Sequence, residues 1–103
     1  MAKAKKKAQQ EVVKPEKDVV ASMAEAFREK LLKIVQSGVK DLVIDLMGVE
    51  MVDSVGIGVL VATHNSVSKA GGKMSVTNVS EDIYKLFKTM RLDQHFEVSP
   101  VAG

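Results

Sequence analysis

The sequence predicts an α/β domain with a mixed, mostly parallel β-sheet and amphipathic helices. Short apolar runs typical of strands alternate along the chain with longer stretches whose apolar residues recur at helical spacing. Strands that are separated by helices pair in parallel through right-handed crossovers. A length of 103 residues suits one domain with a single modest core.

The first ten residues differ in composition from the rest of the chain. They contain four lysines and no acid, so the overall net charge of +2 leaves residues 11–103 at −2. These lysines are Lys3, Lys5, Lys6 and Lys7. We predict a disordered basic tail over residues 1–10 and a single domain over residues 11–103. Weak contact of the tail with nucleic acid or anionic lipid is the alternative.

The first strand and helix are predicted within residues 11–38. Residues 11–14 favour a short strand, which Pro15 restricts to a sheet edge. Ser22 and Glu25 have the spacing of a capping box, which predicts a helix start at Ser22. The buried stripe of this helix is predicted to be Phe27, Leu31, Ile34 and Val35.

A second strand and helix are predicted between Leu42 and Gly72. The apolar run from Leu42 to Met47 is interrupted only by Asp45, as expected of a strand covered on both faces. Asp45 therefore needs a partner, and we expect it to accept hydrogen bonds from amides near Ser54. Contact with a partner protein is the alternative for Asp45. The helix ends at Gly71 and Gly72.

The last predicted elements are a strand over residues 73–78, a helix from Ser80 and a short strand over residues 95–98. Ser80 is expected to cap the helix, with Glu81 and Asp82 favourable at the positive end of its dipole. The buried stripe is predicted to be Ile83, Leu86, Phe87 and Met90.

The turn Val52-Asp53-Ser54-Val55-Gly56-Ile57-Gly58 joins the second strand to its helix. Ser54 lies at the predicted helix start, where a serine caps an unpaired amide. A compatible alternative is that its hydroxyl is presented to a kinase. Two glycines in a first helical turn cost roughly 1 kcal/mol each against alanine. Their presence predicts close helix packing or the close approach of a partner.

The stretches VIDLMGVEMVDSVGIGVLV and AGGKMSVTNVSEDIYKLFKTMRLDQHFEV resemble a STAS domain of the anti-sigma factor antagonist type. The resemblance covers residues 25–98. It implies that Ser54 is phosphorylated by a partner kinase that doubles as an anti-sigma factor. Asp53, Gly56, Ile57 and Gly58 match the neighbours of the family's serine and are the expected partner-binding residues.

The resemblance is incomplete at the N-terminus. A STAS domain usually opens with two strands and a glycine-containing turn, whereas residues 15–24 contain no glycine and offer only Asp18 as the turn acid. A shortened, STAS-like sheet is therefore expected. Its exposed edge would invite pairing with another chain, so a homodimer is one expectation.

Composition and spacing argue against several other functions. The absence of cysteine excludes thiol chemistry, and no apolar run reaches the roughly 20 residues of a membrane span. His64 is ten residues from Ser54 on one predicted helix, about 15 Å away, too far to activate it. Gly56-Ile57-Gly58 lacks the third glycine of a dinucleotide loop. The histidines are expected to be surface or cap residues, and we predict no enzyme activity, cofactor or metal.

The functional hypothesis is a phosphorylation switch at Ser54. Unphosphorylated, the chain would bind a serine kinase that is also an anti-sigma factor and so release a sigma factor, in the cytoplasm and without direct nucleic-acid or membrane contact. A phosphatase would reverse the modification. The alternatives are a stressosome-type scaffold subunit and an accessory STAS subunit of a lipid or anion transporter.

Overall fold

The computed structural model describes residues 10–101, and its elements follow the predicted order. The strands are β1 (Gln10–Val13), β2 (Asp41–Asp45), β3 (Lys73–Val79) and β4 (Glu97–Pro100). The helices are α1 (Ala21–Gln36), α2 (Ser54–Lys69) and α3 (Glu81–Thr89), followed by a 3-10 turn (Leu92–Gln94). Gln10 belongs to β1, so the predicted tail boundary lies one residue too far along the chain. Residues 1–9 of that tail lie outside the described residues.

The four described strands form one sheet in the order β1-β2-β3-β4, with every neighbouring pair parallel. Right-handed crossovers that all step in the same direction place the intervening helices on one face of the sheet. Burial agrees, since the alternate residues Leu42 and Ile44 of β2 are buried and Val43 between them is only half-buried. The predicted parallel α/β architecture is confirmed, although β2 is covered by helices on one face and not on both.

The core lies between this sheet face and the helices. It is largely aliphatic, as the scarcity of aromatic residues implies. The largest fully buried side chains are Phe87, Leu31, Leu42, Ile44, Leu46 and Leu60. In the part of the chain that the structure describes, no helix is long and apolar enough to cross a membrane.

Two predictions about the helices are wrong. The capping box at Ser22 does not form, because the N-cap residue of α1 is Val20, two residues earlier, and Val20 offers no side-chain bond. Leu86 on α3 and Met90, the residue that follows this helix, are 38% and 46% exposed, so the buried stripe is narrower than predicted. The Ser80 cap is confirmed, since its hydroxyl accepts a hydrogen bond from the Ile83 amide at 3.3 Å.

The end of α2 is as predicted. Gly71 has a φ of +85°, in the left-handed region that glycine adopts without strain. The Gly72 amide donates to the Val67 carbonyl at 2.9 Å and the Gly71 amide to the Ser68 carbonyl at 3.0 Å. These two bonds form a Schellman motif, which stops the helix and turns the chain into β3.

Candidate functional site at the start of helix α2

The loop before α1 and the loop before α2 are joined backbone to backbone. Val19 and Val52 form an isolated parallel bridge. The Val19 amide donates to the Met51 carbonyl at 2.9 Å, and the Asp53 amide donates to the Val19 carbonyl at 3.2 Å. The turn that carries Ser54 is therefore held by a segment more than thirty residues earlier in the chain.

Asp18 strengthens this connection. One of its carboxylate oxygens accepts hydrogen bonds from the amides of Glu50 and Met51, each at 3.1 Å. Asp18 thus acts as the turn acid that the sequence suggested, although no glycine precedes it. Its contribution is to fix the backbone just ahead of Ser54.

Asp53 caps two helices with one carboxylate. Its Oδ1 accepts from the Gly56 amide at 2.9 Å, which makes Asp53 the N-cap of α2. Its Oδ2 accepts from the Ala21 amide at 2.9 Å, at the start of α1. Hydrogen bonds to the ionised form, from Gly56 first and Ala21 second, hold the pKa of the Asp53 carboxyl below its ordinary value.

Ser54 is the first residue of α2 and is exposed. The predicted capping role of Ser54 is therefore wrong, because the preceding residue, Asp53, performs it. Among the described residues, no hydrogen bond engages the Ser54 hydroxyl. The hydroxyl is thus accessible at the start of α2, next to the Asp53 carboxylate that already accepts from the Gly56 amide.

The two glycines of the turn have different surroundings. A Cβ on Gly56 would overlap the Val19 carbonyl oxygen, so its bare backbone is needed for packing within the chain. A Cβ on Gly58 would meet nothing within 4 Å, and Gly58 is exposed. Ile57 between them is buried in the core. Of these three expected partner-binding residues, only Gly58 lies at an open surface, and Gly56 and Ile57 hold the turn in place.

Asp45 is buried at the end of β2 but does not contact the Ser54 turn. Its Oδ1 accepts from the Met47 amide and from the Asn78 side-chain amide, each at 2.9 Å. The bond from Asn78 is the main reason why the pKa of the Asp45 carboxyl lies below its ordinary value, against the opposing effect of burial. Asp45 therefore joins the ends of β2 and β3, and the prediction that it supports Ser54 is wrong.

Three large apolar side chains close to Ser54 in the sequence are exposed. Met51 and Val55, which flank Asp53 and Ser54, are 57% and 47% exposed, and Met47 in the same loop is 51% exposed. Sequence reasoning placed Met47 in a buried strand and made no prediction for the exposure of Met51 or Val55. Exposed apolar side chains are typical of protein-docking surfaces when they form one patch.

The histidines lie away from this turn. His64 is ten residues along α2 from Ser54, about 15 Å at the helical rise. Its ring centroid is 6.3 Å from that of His95 and 5.6 Å from that of Phe96. His95 is exposed as predicted, whereas His64 is partly buried and its Nδ1 has no hydrogen-bond partner among the described residues.

We expect Asp53→Asn to lower the thermal unfolding midpoint at pH 7. Asp53 uses one carboxylate oxygen for Gly56 and the other for Ala21, and an asparagine side chain can replace only one of these oxygens, so its NH₂ group would face the other backbone donor. Thermal unfolding followed by circular dichroism measures the change. Asp82→Asn is the control, because Asp82 is an exposed first-turn carboxylate on α3.

The same two variants test how the stability against unfolding depends on pH. A carboxyl whose pKa is lowered by folding contributes stability that is complete above its ordinary pKa of about 3.9 and is lost as the pH falls through the folded-state pKa. The wild type should therefore lose stability below about pH 4 more steeply than Asp53→Asn does. Equal slopes, or equal effects of the Asp53 and Asp82 variants at pH 7, would contradict the double cap.

Comparison with known proteins agrees with this geometry. The STAS domain family model matches residues 2–102, which is nearly the whole chain. The anti-sigma-B factor antagonist of Bacillus subtilis is 38% identical over 76 residues, covering 74% of this chain and 69% of the relative.

Solved structures show the same fold. An anti-sigma factor antagonist from Mycobacterium paratuberculosis superposes with a TM-score of 0.80 and 27% identity, over 89% of this chain and 78% of the other. A Thermotoga maritima protein gives a TM-score of 0.84 at 22% identity, over 88% of this chain and 79% of the other. The chain therefore belongs to the STAS domain family and is of its anti-sigma factor antagonist type.

Proposed function

We propose that this chain is a non-enzymatic switch in which phosphorylation of Ser54 controls binding to a serine kinase that is also an anti-sigma factor. The proposal rests on one observation, that the cap of α2 and the exposed hydroxyl at its start come from two different residues. Asp53 caps the helix, so the exposed Ser54 hydroxyl has no structural duty within the described residues. Unphosphorylated, the chain would bind the kinase in the cytoplasm and release a sigma factor.

The docking surface consists of Ser54 and its exposed neighbours. Met51 and Val55 supply apolar area, and Gly58 leaves room for a partner's backbone one helical turn beyond Ser54. Gly56 and Ile57 are buried beneath this surface and contribute by holding the turn in place. The bonds of Asp18 and Asp53 hold the surface in one conformation, which reduces the entropic cost of binding.

Phosphorylation would block docking without refolding the domain. A phosphate carries about −1.5 to −2 charge at neutral pH. The Gly56 amide, which would otherwise attract that phosphate, is already bonded to the Asp53 carboxylate at 2.9 Å. The phosphate would therefore stand beside a second negative charge and face the partner. An unpaired charge at a desolvated interface costs much binding free energy. A phosphatase would restore the docking form.

We expect Ser54→Asp to weaken kinase binding at least tenfold and Ser54→Ala to bind like the wild type while accepting no phosphate. Isothermal titration calorimetry against each histidine-kinase-fold serine kinase of the source genome measures the first effect, and phosphate transfer from labelled ATP measures the second. Ser68→Asp is the matched control, because Ser68 is exposed near the other end of the same helix.

Three results would reject the proposal. If Ser54→Asp bound the kinase as tightly as the wild type, charge at Ser54 would not control docking. If Ser68→Asp weakened binding as much as Ser54→Asp, the effect would reflect overall charge. Phosphate transfer to Ser54→Ala would place the modified residue elsewhere.

The homodimer expected from the shortened N-terminus stays a prediction. β1 is an outer strand of the described sheet, and its Val12 side chain is exposed. An outer strand presents unpaired backbone groups to other chains. The molecular mass in solution distinguishes a homodimer from a monomer.

A further inference from the structure

A cleft lies between the β1–α1 loop and helix α1, apart from the Ser54 turn. Its volume is about 180 Å³. Its apolar lining comes from Pro15, Met23, Ala26 and Phe27, and its polar lining from Lys14, Lys17 and Lys30. We call it the lysine cleft.

The three lysines of the cleft have no ion-pair partner among the described residues, although Lys14 is close enough to Asp45 to help lower the pKa of that carboxyl. None of its lining residues is acidic. In the part of the chain that the structure describes, the ion pairs are Arg28–Glu25, Lys85–Glu81 and Lys88–Asp93, so none of the three cleft lysines is paired. Three cations around one depression favour an anionic ligand.

The apolar lining of the cleft favours a ligand that also has an aliphatic part. Phe27 is buried, and Met23 and Pro15 are half-buried, so an aliphatic segment lying against them would lose contact with water. A simple inorganic anion would leave this apolar surface uncovered. The lining therefore matches an amphipathic anion, with its charge among the lysines and its chain against Phe27.

The volume limits the length of that chain. A cleft of about 180 Å³ is slightly larger than a cavity of about 150 Å³ that encloses benzene, a ligand of six carbons. Full-length fatty acids and nucleotides are too large to be enclosed. We propose that the lysine cleft binds a short aliphatic carboxylate of about six to eight carbons.

The lysine cleft is also connected to the Ser54 turn through the backbone. Lys14 and Lys17 belong to the loop whose next residues, Asp18 and Val19, bond to the segment ahead of Ser54. The proposal concerns binding at the cleft alone and does not depend on phosphorylation or on the kinase.

The test is a titration of the full chain with sodium octanoate, followed by ¹H–¹⁵N NMR. We expect saturable shifts, with a dissociation constant of about 1 mM, at the amides of Lys17, Met23 and Phe27. Octanol, which lacks the charge, and octylamine, which reverses it, should each bind at least tenfold more weakly. Inorganic phosphate and vesicles containing anionic lipid are titrated in parallel.

Three variants locate the binding. Ala26→Trp fills the cleft from an exposed helix position, so it should abolish octanoate binding and leave the core intact. Lys30→Gln should weaken binding three- to tenfold. Lys33→Gln is the matched control, because Lys33 is exposed on the same helix and does not line the cleft.

Each remaining outcome would overturn the proposal. Equal binding of octanol would indicate an apolar site without charge selection. Equal binding of phosphate would indicate a plain anion site. Binding only to anionic vesicles would indicate a membrane-facing surface. Equal loss in Lys30→Gln and Lys33→Gln, or unchanged binding by a folded Ala26→Trp, would place the ligand elsewhere.

Discussion

Gly56→Ala should lower the free energy of unfolding by about 1–3 kcal/mol, although alanine is the better helix former. The added Cβ would overlap the Val19 carbonyl oxygen and approach Val19 Cγ1 to 2.9 Å. The first of these contacts is with backbone, which cannot rotate away, so α2 and the β1–α1 loop must separate. That movement would also stretch the hydrogen bond from the Asp53 amide to the Val19 carbonyl, which measures 3.2 Å.

Gly58→Ala is the matched control, and its expected effect has the opposite sign. Nothing lies within 4 Å of a Cβ at Gly58, so the substitution should stabilise the domain by about 0.5–1 kcal/mol through helix propensity alone. Urea unfolding of both variants measures the difference. Equal destabilisation by the two substitutions would show that contact with Val19 is not what requires glycine at position 56.

Phe87→Ala should lower the free energy of unfolding by about 3–5 kcal/mol. Phe87 is fully buried on α3 and is among the largest enclosed side chains of the core. Its removal leaves a cavity that the aliphatic surroundings fill only in part, so both transfer and packing free energy are lost. A loss of this size is a large share of the stability of a domain of this length.

Leu86→Ala is the control for Phe87→Ala, because the two residues are adjacent on α3. Leu86 is partly exposed, and alanine costs nothing in helix propensity, so the loss should be below about 1 kcal/mol. Chemical unfolding at 25 °C tests both variants. A loss at Leu86 as large as that at Phe87 would support the wider buried stripe that the sequence predicts.

The order of elements could be predicted because it depends on local patterns. Strand and helix periodicity, the Gly71–Gly72 stop and the Ser80 cap all involve residues within a few positions of one another. Alternation of strands with helices then restricts the sheet to parallel pairing. These features together are enough to predict the architecture.

The details of the Ser54 turn could not be predicted because they depend on distant residues. Ser22 and Glu25 have the spacing of a capping box, yet the Ala21 amide bonds to Asp53 instead. No local rule relates those two positions, which lie more than thirty residues apart. The wrong assignment of the α2 cap to Ser54 has a local reason, since either residue of the Asp53–Ser54 pair is a good cap by type.

The exposed fraction of individual side chains could not be predicted from hydrophobic periodicity either. Met47 continues an apolar run and Leu86 lies on an apolar stripe, yet both are exposed. The structure shows that β2 ends at Asp45, so Met47 falls in the loop. Whether a residue at the margin of a stripe is covered depends on what packs beside it, which a single sequence does not state.

The bridge between Val19 and Val52 has a consequence for the newly synthesised chain. The β2–α2 turn is bonded to Val19 and Ala21, in the segment that follows β1, and β1 itself pairs with β2. No hairpin is available among the described strands, because each neighbour in the sheet is separated by a helix. The bonded arrangement of the Ser54 turn therefore requires both strand–helix units. We expect nascent or truncated chains that lack either unit to leave the Ser54 turn without these bonds.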